Sequence, residues 1–234
     1  MKNALFSINA FRGLIHLIFP KICIACEHET PLKNSVLCLN CQQDLYYTDH
    51  IQNRDNEFER MFYGRLNLEK GASLFYYRKE TTIQTLIHRF NYSGLRDVGV
   101  IWGNEMANLM IENQWGDEID LVIPVPMHWR KERKRGYNQA SVLALGIAEI
   151  LKVSCRQDGL IKQISNESQT KKSRSERVDN VQDAFKLNTK YDWPSCNILL
   201  VDDVLTTGAT LEACANVLPK SCKIYMVTLA IGRL

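Results

Sequence analysis

Three features of the sequence predict an α/β fold, a twisted and mainly parallel sheet flanked by helices, with a small cysteine-organised segment in front of it. From about residue 70 onward, strand-length apolar runs alternate with helix-length amphipathic ones. The strand candidates DLVIPVP (120–126) and NILLV (197–201) are almost entirely apolar instead of alternating, as strands covered on both faces should be. Upstream, Cys23, Cys26, Cys38 and Cys41 form C-x2-C-x11-C-x2-C within nineteen residues.

In chain order, the first stretch is 1–20. Leu5, Ile8, Phe11, Leu14, Ile15, Leu17 and Ile18 recur near helical spacing, broken by Asn9, Arg12 and His16, with no small-residue cleavage site after them. That pattern predicts an amphipathic helix packed on the protein, not an export signal. No run reaches the roughly 20 apolar residues that span a bilayer, so the expectation is a soluble cytoplasmic protein.

Residues 21–45 hold the four clustered cysteines. Each C-x2-C turns two sulfurs toward one point, and two such knuckles supply four thiolates for a tetrahedral zinc ion. Four thiolates fill the coordination sphere, so the expected role is structural, folding a segment too short to bury its own core. The other cysteines, Cys155, Cys196, Cys214 and Cys222, stand singly in apolar surroundings and read as small core residues. Residues 46–70 are polar, mixed in charge and irregular, and read as a linker lying across the body.

Residues 71–234 form the main domain. ASLFYYR (72–78) is a strand; TTIQTLIHRF (81–90) is a helix with Ile83, Leu86, Ile87 and Phe90 on one stripe; Val98 to Met110 keeps helical spacing. After the strand at 120–126 comes a basic loop. ASVLALGIAEIL (140–151) is a helix, NILLV a buried strand, TLEACANVL (210–218) a helix and KIYMVTLA (223–230) the closing strand. A polar, basic stretch over about 159–185 lacks periodicity and reads as a mobile loop.

Composition sets the outer limits. The chain has 234 residues, 45% hydrophobic and 24% charged, with a net charge of +3 that by itself marks neither a nucleic-acid nor a membrane binder. Positive charge is local: Arg130, Lys131, Arg133, Lys134 and Arg135 fall within six positions, and Lys171, Lys172, Arg174 and Arg177 form a second group.

The chemistry concentrates in ILLVDDVLTTGATL (198–211). Ligands of open parallel sheets bind beyond the carboxyl ends of the strands, and Asp202 and Asp203 follow such a strand. Backbone N–H groups of the next turn, a helix N-terminus, and the hydroxyls of Thr206, Thr207 and Thr210 make a phosphate cradle, with Gly208 allowing close approach. Carboxylates beside an anion site make sense as acceptors for hydroxyl groups attached to that anion, which points to a sugar phosphate. There is no G-x-x-x-x-G-K-[ST] and no G-x-G, which removes the P-loop and dinucleotide fingerprints.

ILLVDDVLTTGAT resembles the phosphoribosyltransferase signature at every position. IPVPMHWRKERKRGYNQA (123–140), SQTKKSRSERVDNVQDAF (168–185), FYGRLNLEKGASLFYYRKETTIQTLIHRFNYSG (62–94) and the cysteine knuckles together resemble the ComF/GntX family over nearly the whole chain, in the expected order. The resemblance implies a type I phosphoribosyltransferase fold that binds phosphoribosyl pyrophosphate (PRPP), and an association with DNA uptake in natural competence. It implies that Asp202 and Asp203 contact the ribose hydroxyls, and that Thr206, Thr207, Gly208, Ala209 and Thr210 hold the 5′-phosphate. This chain departs from the family pattern twice, with Asn91 in place of a lysine and Trp129 in place of a proline.

With PRPP as ligand, the pyrophosphate needs a second anion site. The loop after Val125 is suitably placed, with Met127, His128, Arg130 and Arg135 as its candidates. Mg²⁺ would be held by pyrophosphate and ribose oxygens. The 165–180 segment resembles a catalytic loop in which Gln169, Arg174, Arg177 and Asn180 would act. No residue specifies the acceptor. Two other classes fit the same chain: a single-stranded DNA handling protein, its basic run combining cations with Trp129 and Tyr137, and an adaptor docking a protein of the competence machinery.

Overall fold

The computed structural model describes residues 22–28, 30–31, 35–92, 96–163 and 184–232. The helix expected over 1–20 and the loop residues Gln169, Arg174, Arg177 and Asn180 lie outside the described residues.

The strands are β1 (Leu68–Tyr76), β2 (Leu121–Pro124), β3 (Ser154–Cys155), β4 (Leu160–Lys162), β5 (Phe185–Leu187), β6 (Asn197–Leu205) and β7 (Lys223–Ile231). Five of them form one sheet in the order β1-β7-β6-β2-β3, with every neighbouring pair parallel. β4 and β5 pair antiparallel as a separate ribbon. The helices are α1 (Leu39–Gln43), α2 (Glu57–Arg60), α3 (Thr82–Tyr92), α4 (Arg96–Glu112), α5 (Trp129–Arg135), α6 (Gln139–Leu151) and α7 (Ala209–Asn216).

The unbroken apolar runs bury both faces of their strands. In β6, Leu199 and Val201 join a core with α3, α4 and α6, while Ile198 and Leu200 join a second core with α2 and α7. In β7, Tyr225, Val227 and Leu229 alternate in the same way with Met226. Trp102 of α4 sits edge-on to both Phe75 and Phe90, tying β1 and α3 to the first core.

α4 and α6 cross at backbone contact, which their glycines permit. A Cβ on Gly103 would lie 2.4 Å from the Leu143 carbonyl oxygen, and one on Gly146 would lie 2.6 Å from that of Val100.

Several elements differ from the sequence reading. The stretch expected as a linker is packed: Phe58 and Phe62 are fully buried, and Asn56 caps α2 while its amide donates to the carbonyls of His50, Asn53 and Gly71. Its first residues run along β1, where Thr48 N–H donates to Leu74 O at 2.9 Å and Tyr76 N–H to Tyr46 O at 2.8 Å, covering an otherwise open sheet edge. The basic loop after β2 is a helix, α5, started by the His128 side chain and stopped by Gly136 in the left-handed region at φ 83°. The stretch expected as a loop over 159–185 begins and ends in the β4–β5 ribbon. β6 continues through both aspartates to Leu205 instead of ending before them. Among the described residues no helix is long and apolar enough to cross a membrane.

Gly103→Ala should destabilise the fold by about 1–3 kcal/mol, because the added methyl meets backbone that cannot step aside. Urea unfolding monitored by tryptophan fluorescence will check this, and a midpoint equal to wild type would contradict the contact.

Candidate functional site

β6 outruns its neighbour. Its pairing with β2 ends at Pro124↔Val201, and the chain after Val125 turns away, leaving Asp202 and Asp203 at the side of a cleft of about 550 Å³. That volume suits a small-molecule ligand. Both aspartates line the cleft, and so do Thr206 and Thr210 of the following loop. The loop itself, residues 205–211, encloses a recess of about 20 Å³ that opens onto the same two threonines.

The loop is shaped as a cradle. Gly208 takes φ 77° immediately before α7, and no side chain caps that helix. Of the N–H groups of its first turn, that of Ala209 reaches Thr207 Oγ1 at 3.4 Å, and the positive end of the helix dipole lies at the loop. Thr206 and Thr207 are exposed, and Ala209 and Thr210 half-buried. A Cβ on Gly208 would lie 2.9 Å from the Phe62 ring, so the glycine serves both backbone conformation and packing.

Arg65 buttresses the cradle from behind, a part that sequence reasoning missed. Its guanidinium donates to the Thr207 carbonyl at 3.2 Å and the Met61 carbonyl at 3.0 Å, and it pairs with Glu212 in the first turn of α7. Glu212 lies 147 residues away, and nothing local signals the pairing.

The paired carboxylates are electrostatically strained. Burial pushes the Asp202 carboxyl well above its ordinary value, and the Asp203 charge adds to the push. Burial also raises Asp203, against the pull of the Val204 N–H, which donates at 2.8 Å, and of the Arg135 charge. Such a pair is poised to accept hydrogen bonds from hydroxyl groups.

A cationic wall faces them. Met127, His128 and Arg135, all expected from the sequence, line the cleft, and so do Lys131 and Lys162, which were not. Burial lowers the Lys162 ammonium, and the Lys131 charge lowers it further. Two lysines lining one cleft, close enough that the Lys131 charge disfavours that of Lys162, make a receptive site for an anion of high charge. Arg130 is not part of this wall; its guanidinium lies 5.3 Å over the exposed Trp129 ring.

The RGYNQA stretch (135–140) explains how the wall is held. Arg135 donates to Asn91 Oδ1 at 3.0 Å and to Gln139 Oε1 at 3.1 Å. Tyr137 OH and the Gln139 amide both donate to the Phe90 carbonyl at the end of α3. Asn138 caps α6 and donates to Val125 O at 2.9 Å. The departure at Asn91 thus has a local role, since an amide oxygen accepts from Arg135 where a lysine would oppose it. Trp129 takes the first position of α5, where proline is also favoured, so the departure there leaves the turn intact.

The four sulfurs of Cys23, Cys26, Cys38 and Cys41 all lie within 4.8 Å of one another. Cys26 and Cys38 are 3.8 Å apart, close to the edge of a tetrahedron built on bonds of about 2.3 Å. Burial raises the Cys23 thiol, but N–H groups of Cys26, Cys38 and Ala25 more than offset it and bring it to about 6; burial and the neighbouring sulfurs push Cys41 up. Four sulfurs at these separations can hold a metal ion such as zinc.

No family model matches the chain. It is 26% identical over 218 residues to Competence protein F of Haemophilus influenzae, covering 89% of each chain. It is 27% identical over 212 residues to Competence protein ComFC of Bacillus subtilis, covering 89% of this chain and 82% of that one. DNA utilization protein YhgH of Salmonella typhimurium matches at 24% over 139 residues, 58% of this chain and 60% of the relative. Among solved structures, glutamine PRPP amidotransferase from B. subtilis overlaps 60% of this chain with a TM-score of 0.38 at 15% identity. The allosteric regulatory enzyme of purine biosynthesis overlaps 61% with a TM-score of 0.41 at 16% identity, and in both cases this chain spans 30% of the other.

Asp202→Asn should raise the melting temperature near neutral pH by roughly 2–4 °C, about 1 kcal/mol for a chain of this size. The sign follows from the raised folded value. The protonated carboxyl is tolerated below its ordinary 3.8, and wild-type stability falls as pH rises through the raised value. The gain should therefore vanish near pH 3.5, and a variant less stable than wild type at pH 7 would contradict the strain.

Proposed function

We propose that this chain, whose similarity along most of its length supports its placement in the ComF family, binds Mg²⁺-PRPP and presents it for phosphoribosyl transfer. The observation that carries the reading is that Asp202 and Asp203 line one cleft together with Thr206 and Thr210 of the following loop and with His128, Lys131, Arg135 and Lys162. The 5′-phosphate fits the cradle and the ribose hydroxyls fit the aspartates. The pyrophosphate then lies against Met127, His128, Lys131, Arg135 and Lys162, with Mg²⁺ held mainly by its oxygens and those of the ribose.

In transfer, the bond from ribose C1′ to pyrophosphate oxygen breaks and a bond from the acceptor to C1′ forms. The cations of the wall stabilise the charge that collects on the departing pyrophosphate. The acceptor would enter beside α3, whose Gln84, Ile87, His88 and Asn91 line another part of the cleft. Gln169, Arg174 and Arg177 are proposed to close over the reactive sugar.

Calorimetric titration of Mg²⁺-PRPP tests the binding reading directly. Wild type should bind with micromolar affinity, and Asp202→Asn/Asp203→Asn should lose at least tenfold, about 1.4 kcal/mol. Equal affinities, or no binding by either protein, would overturn it. Pyrophosphate release on adding an acceptor library tests the transfer step in the same samples.

A second reading, contact with single-stranded DNA, is favoured by the way α5 divides its residues. Lys131 and Arg135 line the cleft, while the exposed Arg130, Arg133 and Lys134 do not, and Arg130 lies over the ring of Trp129, which is 48% exposed. Cations interleaved with an aromatic suit a nucleic-acid backbone and its bases, and the matched relatives are named for competence and DNA utilization. On this reading Arg133→Ala/Lys134→Ala should weaken oligonucleotide binding and flatten its log–log salt slope by about 1.4, with PRPP affinity unchanged. An unchanged slope would remove the surface from consideration.

A further inference from the structure

The cysteine segment packs against α3, a helix that lines the cleft. α1 carries Cys41 and ends at Asp44, whose Oδ2 accepts the backbone N–H of Thr82 at 2.8 Å. Thr82 is the first residue of α3. Near the far end of the same helix, Arg89 pairs with Glu27, the neighbour of Cys26. Between these points Leu37 and Leu45 share one core with Ile83, Leu86, Ile87 and Phe90. The knuckles thus grip α3 at its first turn, along its buried stripe and in its last turn.

The adjoining face of α3, which shares Ile87 with the buried stripe, belongs to the ligand cleft. Gln84, Ile87, His88 and Asn91 line it, and Asn91 holds Arg135, whose charge acts on Asp203. α3 has 11 residues, a length at which a helix is marginal without tertiary support. Its geometry at the cleft therefore depends on what grips it from behind.

We propose that the metal-bound four-cysteine segment positions α3 through Asp44 and Glu27, so that metal occupancy and ligand binding in the cleft are thermodynamically coupled. With the ion bound, Cys41 and Cys26 fix α1 and the first knuckle, and through them the cap on Thr82 and the partner of Arg89. Without it, four crowded thiols no longer share a cation, the two grips loosen, and Gln84, His88 and Asn91 lose their places. Coupling of this kind is reciprocal: the ligand strengthens metal binding by the factor by which metal strengthens ligand binding. The inference rests on the PRPP reading only for its ligand probe.

The test uses the full-length, zinc-loaded protein as wild type, Asp44→Ala and Asp44→Asn, with zinc content measured for each. Amide hydrogen exchange is followed before and after chelation, Mg²⁺-PRPP affinity is measured by calorimetry, and zinc affinity by chelator competition with and without PRPP. Chelation should speed exchange in Thr82–Tyr92 at least tenfold while β6 and β7 stay protected. Zinc-replete Asp44→Ala should expose the first turn of α3 and bind PRPP roughly threefold to tenfold more weakly, the size of a lost helix cap. Asp44→Asn keeps an oxygen acceptor and should behave as wild type. PRPP should tighten zinc binding by the same factor by which chelation weakens PRPP binding. Unchanged α3 protection in zinc-free protein, or faster exchange throughout the chain, would overturn the proposal. Failure of wild type to bind PRPP would remove the functional reading, and the exchange measurements would still decide this one.

Discussion

Two adjacent carboxylates on a half-buried strand cannot both ionise unless the surroundings supply hydrogen bonds or positive charge, and much of the cleft is organised around that constraint. Val204 N–H donates to Asp203, the Arg135 charge acts on Asp203, and Lys162 acts on Asp202. Each compensating group has to be held in turn. Arg135 is fixed by Asn91 and Gln139, and Gln139 is tied to the end of α3 through the Phe90 carbonyl. The aspartate pair thereby draws the end of α3, the end of α5 and the start of α6 into one hydrogen-bonded set. The compensation is incomplete, since both carboxyls stay raised, and that residue of unsatisfied demand is what a ligand with adjacent hydroxyls can meet.

The same logic gives the parts around the cleft distinct tasks. The cradle is backbone, held from behind by Arg65 and by the Phe62 ring under Gly208. The cationic wall is side chain, and α5 sends some of its charges inward and some to solvent. None of the described residues of the cysteine segment lines the cleft, and the segment meets α3, which does. A small four-cysteine unit too short for a large core of its own gains a buried surface by packing on that helix, and the helix gains the Asp44 acceptor at Thr82.

Much of this architecture was legible in the sequence because it rests on local pattern. The continuous apolar runs at 120–126 and 197–201 fix buried parallel strands, the stripe Ile83, Leu86, Ile87 and Phe90 marks α3, and the knuckle spacing brings four sulfurs together. What escaped was set by tertiary placement. WRKERKR has no apolar periodicity, so α5 reads as a loop until its cap at His128 and stop at Gly136 are seen. Aspartates end an apolar run on paper, yet β7 continues to pair with β6 as far as Leu205↔Ile231. Lys162 and Arg65 are single charges in unpatterned stretches and Lys131 is one of five cations within six positions, so only the fold says which of them line the cleft and which buttress the loop. Asn91 was visible as an oddity, and its partner Arg135 gives the oddity a reason.

The central claim, that Asp202 and Asp203 are diol acceptors beside a phosphate cradle, is tested most directly by a crystal structure of the protein with Mg²⁺ and PRPP. The account predicts the two ribose hydroxyls within hydrogen-bond distance of the Asp202 and Asp203 carboxylates, the 5′-phosphate on the backbone and hydroxyls of Thr206 to Thr210, and the pyrophosphate toward Lys131, Arg135 and Lys162. A ribose turned away from the aspartates, or a pyrophosphate lying in the threonine loop, would contradict it.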